Sequence, residues 1–146
     1  MAKRMKVTRG IRNNNPCNIR HGSRWVGLRP KQTDKGFCQF TSMEYGVRAA
    51  LRTLMTYVNK HHLTSVRDII YRWAPPEDNN NTVHYIRIIE DALDREELPH
   101  EWPRGYLTKQ ILKNDPWWYT FLKTMCKHES GYILTKGMYE LAVSLL

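Results

Sequence analysis

The chain has 146 residues, with 23 Lys or Arg against 14 Asp or Glu, for a formal charge of +9. A chain of this length can bury roughly 70% of the surface its unfolded form exposes, so one domain needs neither disulfides nor a metal to hold it together. A hydrophobic fraction of 41% and an aromatic fraction of 11% exclude a disordered tail.

The charge is unevenly placed. Residues 1–40 hold ten bases (Lys3, Arg4, Lys6, Arg9, Arg12, Arg20, Arg24, Arg29, Lys31 and Lys35) against one acid, Asp34, whereas the rest of the chain is balanced. An anionic partner is therefore expected at this basic end. No run of 18 apolar residues occurs, and the basic start is not followed by an apolar stretch, which excludes a membrane span and a conventional signal peptide. Cys17, Cys38 and Cys126 are odd in number and lack Cys-x-x-Cys spacing, so they read as reduced thiols of a chain made in a cytoplasm. His61 and His62 have no Cys or His at ligand spacing and read as a polar helix end, so no metal and no cofactor are expected.

In chain order, Arg9 to Phe40 shows no helical period and is rich in Gly, Asn, Arg and Pro, which predicts loops with one short strand pair around 37–40. Thr41 and Glu44 stand in capping-box spacing ahead of Val47, Leu51, Leu54, Met55 and Val58, predicting a helix over 42–60. Thr64 is the expected cap of a helix carrying Val66, Ile69, Ile70 and Trp73, stopped by Pro75 and Pro76. Thr82 is the expected cap of the next, with Val83, Ile86, Ile89 and Leu93. After an irregular connection, a short helical piece covers 108–113. Asp115 and Pro116 then open a helix ended by Gly131, and a last helix over 136–146 follows Thr135. The prediction is a single mainly α domain over 1–146, with a small irregular or β basic lobe (1–40) packed on a helical lobe (41–146).

One residue breaks the apolar pattern. On the helix from Pro116 the apolar face is Trp118, Phe121, Leu122, Met125 and Cys126, and Glu129 falls on that same face, at steps of three, four, seven and eleven from Cys126, Met125, Leu122 and Trp118. A carboxyl group beside apolar and aromatic groups at a helix C-terminus is disfavoured in its charged form. A glutamic acid kept protonated near neutral pH is what a general acid requires. The competing reading is a helix-end glutamate that turns to solvent or pairs with a base such as Lys127.

Four segments carry a resemblance. His128-Glu129-Ser130-Gly131-Tyr132 resembles the Glu-Ser-Gly signature of lysozyme-like lytic transglycosylases and bacterial glucosaminidases. Asn15 to Arg20, followed by Trp25-Val26-Gly27, is similar to the asparagine turn and Trp-x-Gly segment of the glucosaminidases, and Phe37 to Arg48 to their strand-then-helix stretch. Trp73-Ala74-Pro75-Pro76 with Tyr85-Ile86 resembles their Tyr-Ala-x-x-Pro segment and following Tyr. From Arg9 onward the pattern also resembles a phage and prophage family of small virion or lysis proteins. In the glucosaminidases the glutamate helix precedes the asparagine turn, whereas here Glu129 comes last, so the resemblance implies a circularly permuted lysozyme-like core.

The resemblance implies a glycosidase that cleaves the glycan strands of bacterial peptidoglycan, with Glu129 as general acid and Asp34 as its candidate second carboxylate. Asp34 also suits a plain turn in Thr33-Asp34-Lys35-Gly36. Asn18, Arg20, Trp25, Trp73, Asn80, Thr82 and Tyr85 supply the aromatic faces and polar groups of a sugar site. Trp73 also continues an apolar face, so packing competes for it, and Trp117-Trp118 reads as structural. The protein is expected to be monomeric and to meet the wall after release from the cell or as part of a virion. The rival readings are a non-catalytic phage structural protein of the same fold and a basic module for nucleic acid.

Overall fold

A computed structural model describes residues 7–103 and 105–146. Lys3, Arg4 and Lys6 of the basic end lie outside the described residues. The fold is mainly helical: α1 (Arg9–Arg12), α2 (Met43–Asn59), α3 (Val66–Trp73), α4 (Thr82–Arg95), α5 (Lys109–Asn114), α6 (Pro116–Ser130) and α7 (Lys136–Ser144), with a 3-10 turn at Pro76–Asp78. No helix of the described residues is long and apolar enough to cross a membrane.

The apolar spacings predict the long helices because each stripe is buried. Val47, Leu51, Leu54 and Val58 of α2, Val66, Ile69 and Ile70 of α3, and Ile86, Ile89 and Leu93 of α4 all lie inside. Helix α6 is the centre: α4 packs along it, α1 and α5 touch it, and α2 packs on α7. Trp117 stacks on Phe121 at 5.1 Å, and Trp102 and Trp118 meet edge-to-face at 5.7 Å, so Trp117 and Trp118 are core residues.

Three caps fall one residue away from the expected Thr, each time because the Thr is engaged elsewhere. Ser42 takes the N-cap position of α2 without a side-chain bond to the helix, while the Thr41 hydroxyl donates to Gly27 O at 3.1 Å and fastens the N-terminal lobe. Ser65 caps α3 by accepting from Asp68 N, because Thr64 O takes the Trp102 N–H as the chain pairs with residues 100–102. Asn81 caps α4 by accepting from His84 N, and the Thr82 hydroxyl donates to Ala74 O at 2.6 Å, tying the two ends of the intervening loop. Asp115 and Thr135 cap as expected, Thr108 stands at the N-cap of α5 just before its first helical residue, and Gly131 ends α6 with a left-handed φ of 78°.

The N-terminal lobe departs from expectation in two ways. Its first turn is helical (α1, capped by Thr8), and the predicted strand pair reduces to isolated bridges, Arg20 with Phe37 and Leu28 with Phe40. Side chains, not ladders, hold this lobe. Buried Asn15 donates to Ile19 O and Cys38 O and accepts from Ile19 N, each at 2.9 Å, while Gln39 donates to Asn13 and accepts from Thr33 N. Cys17, Ile19, Cys38 and Phe40 join the same apolar cluster as the helices.

Candidate active site

The last turn of α6 meets the N-terminal lobe at a close approach. A Cβ at Gly10 would stand 2.7 Å from Ser130 Cβ, so only glycine lets α1 lie against α6 here. The Ser130 hydroxyl donates to Pro16 O at 2.8 Å, the Thr8 hydroxyl to Ser130 O at 2.7 Å, and Asn18 Nδ2 to Glu129 O at 3.0 Å. The Ser and Gly that follow Glu129 are thus fixed by packing and by helix termination.

Glu129 itself is half-buried at the floor of a cleft of about 430 Å³. Its Oε2 accepts two hydrogen bonds, from Trp73 Nε1–H at 3.1 Å and from the Tyr85 hydroxyl at 3.0 Å. No side chain of the described residues bonds Oε1. With Oε2 occupied by two donors, Oε1 is the oxygen left open towards the cleft. Burial, and after it the charge of Glu129, pushes the Tyr85 phenol well above its ordinary value, so it remains a donor. The His128 ring packs on Tyr85 at 4.1 Å, and burial lowers its pKa from 6.5, which keeps the imidazole neutral near pH 7.

One wall of the cleft comes from the N-terminal lobe (Cys17, Asn18, Ile19, Arg20, Phe37) and the other from α2, α3 and the following turn (Thr53, Tyr57, Trp73, Ala74, Asp78, Asn80). Tyr57 meets the Trp73 ring edge-on at 6.4 Å and carries the Arg72 guanidinium at 5.3 Å, while Arg9 and Arg20 lie over the Phe37 ring at 4.4 and 4.8 Å. These faces and amides are groups that can hold a sugar chain.

The structure therefore brings together Glu129, Asn18, Arg20, Trp73 and Asn80. Tyr85 lies beneath the cleft and orients Glu129 instead of facing a ligand. Thr82 is buried on Ala74 O, and Trp25 packs against the core with its indole N–H enclosed; neither lines the cleft. Asp34 is not among the cleft residues either. Arg9 grips both its oxygens, Asn13 donates to it at 3.0 Å, and the Gly36 and Phe37 N–H groups close on it, so its carboxyl lies far below the usual carboxylate range, chiefly through Arg9. Asp34 builds the turn that presents Phe37.

The basic end is likewise consumed in part by scaffolding. Arg12 donates to Val7 O, and Arg29 to Phe40 O and Arg12 O, leaving Arg20 as the one described base of this lobe that lines the cleft. Sequence reasoning missed Tyr57 and Thr53, whose signal is their four-residue spacing beside the apolar stripe of α2. It also missed Asp78 on the far wall, whose turn composition hides its position.

No family model matches the chain. It is 42% identical over 88 residues to Protein P5 of Pseudoalteromonas phage PM2, a match covering 58% of this chain and 54% of that protein. The chain is thus similar to a phage protein and spans about half the length of the curated relative it matches.

Proposed function

We propose that this protein is a phage-type glycosidase that cleaves the glycan strands of peptidoglycan, with Glu129 as general acid. The observation that carries the reading is the carboxyl group at the cleft floor, held by Trp73 and Tyr85 through one oxygen while the other is left for a ligand. In this reading Oε1–H donates its proton to the leaving glycosidic oxygen as the bond to the anomeric carbon breaks, and the carboxylate then takes a proton from the attacking hydroxyl. The Glu-Ser-Gly resemblance supports the glycosidase class, and the similarity to a phage protein supports the phage type alone.

Asp34 is too heavily bonded to act as the second carboxylate, and Asp78 on the opposite wall is the other carboxylate that lines the cleft among the described residues. A hydrolytic route assigns Asp78 to the attacking water. A route in which the muramic 6-hydroxyl attacks needs Glu129 alone. Purified protein is expected to clear a peptidoglycan suspension, and Glu129→Gln to lower the rate by about 10²–10⁴-fold, the usual contribution of a general acid, at an unchanged melting temperature. Equal clearing by the variant would refute the assignment.

A further inference from the structure

Cys17 and Cys126 are 109 positions apart in sequence, yet their sulfurs touch at 3.7 Å, both side chains fully buried. Cys17 follows Pro16, whose carbonyl the Ser130 hydroxyl grips, and Cys126 lies one turn before Ser130 on α6. The two segments are thus already fastened to each other within one helical turn of the sulfur pair. Each sulfur needs to move less than about 1 Å to reach the disulfide length of about 2.05 Å. Cys17 belongs to the lining of the cleft, so of the two buried thiols it is the one nearer the cleft, whereas Cys126 is not among the lining residues. Cys38 stands apart, with its sulfur beside His21 and Arg20 O.

We infer that Cys17 and Cys126 form a reversible disulfide that staples the asparagine turn to α6 behind the cleft floor. The oxidant is a peroxide small enough to enter the cleft. The Cys17 sulfur attacks one peroxide oxygen, the O–O bond breaks, and a sulfenic acid and water result. The Cys126 sulfur then displaces hydroxide from the Cys17 sulfur, its proton leaving with that hydroxide as a second water. Two thiols are oxidised by two electrons and hydrogen peroxide is reduced to two waters. The partner thiol and burial hold Cys17 protonated, so the first step is slow and the reduced pair persists in a reducing compartment. A chain that passes from a reducing to an oxidising compartment carries the pair from one form to the other. The closed loop is long, so the link restricts the unfolded chain strongly.

The test uses the reduced full chain, folded, exposed to hydrogen peroxide, with thiols then titrated under denaturing conditions and peptides mapped after trypsin without reduction. Free thiols are expected to fall from three to one, with peptide 13–20 joined to peptide 124–127 and the melting temperature raised by several degrees. Cys38→Ser is expected to form the same link and Cys17→Ser to form none. Persistence of all three thiols, a link to Cys38, or over-oxidation of Cys17 without a link would overturn the inference. No readout depends on glycosidase activity, so this outcome and that of the proposed function are separable.

Discussion

The stretch from Thr8 to Thr41 and the helices after it are held by different forces. In the helical part, aromatic and aliphatic faces are removed from water, and the polar groups of the backbone satisfy one another within each helix. In the N-terminal part, few backbone groups pair with each other, and Asn13, Asn15, Arg29, Gln32, Asp34 and Gln39 take over that work from their side chains. Glu129 lies at the seam. Its carboxyl group is oriented by the helical part, through Trp73 of α3 and Tyr85 of α4, and its backbone carbonyl by the N-terminal part, through Asn18. A carboxyl positioned from both sides can sit in a cleft without collapsing into either.

Substitutions can separate the two modes. The largest loss is expected from Phe121→Ala, which empties the centre of the aromatic cluster and should cost about 3–5 kcal/mol in denaturant unfolding. Asn15→Ala should come next. It frees the Ile19 and Cys38 carbonyls and the Ile19 N–H from their side-chain partner, a net loss on the order of 1–3 kcal/mol once water reaches the freed groups, and hydrogen exchange should show the opening confined to the N-terminal part. If exchange rose equally in α4, the two parts would not be distinct.

Asp34 probes the same lobe through acid. Its folded carboxyl is held below the ordinary value of 3.8, so the unfolded chain takes up the proton first. The stability it contributes is present above that value and is lost as pH falls towards the folded one. The wild type should therefore lose more melting temperature than Asp34→Asn between about pH 5 and about pH 3.

His100 acts in the opposite sense in the helical part. Its ring meets Asp94 at 2.7 Å and Glu90 at 2.9 Å, which raises it above 6.5, so its contribution is present below that value and fades as pH rises through the folded one. His100→Gln should cost at most about 1 kcal/mol at low pH, as surface pairs do, and nothing measurable in alkaline solution.

The helices were legible because burial imposes a 3.6-residue period on apolar residues, as α2 and α6 show. Their caps were legible to within one residue. Thr41, Thr64 and Thr82 have the right chemistry, but tertiary bonds to Gly27, Trp102 and Ala74 claim them, and such bonds leave no trace in local sequence. Glu129 could be found because a carboxylate on an apolar stripe is a break in a pattern. Tyr85 was read as a sugar contact for want of the third dimension, which places its hydroxyl on Glu129. The N-terminal part has no period to read. A lone acid among ten bases looked like a chemical partner, and it is instead the group on which Arg9 and Asn13 converge.

The most direct measurement is mass spectrometry of the fragments released from purified peptidoglycan by wild type and by Glu129→Gln under identical conditions. Wild type is predicted to release glycan fragments with new ends, reducing if water attacks and 1,6-anhydro if the muramic hydroxyl does, and the variant to release neither at a comparable rate. The same fragments from both proteins, or none from wild type where a lysozyme control cleaves the same wall, would contradict Glu129 as the acid of a glycosidase.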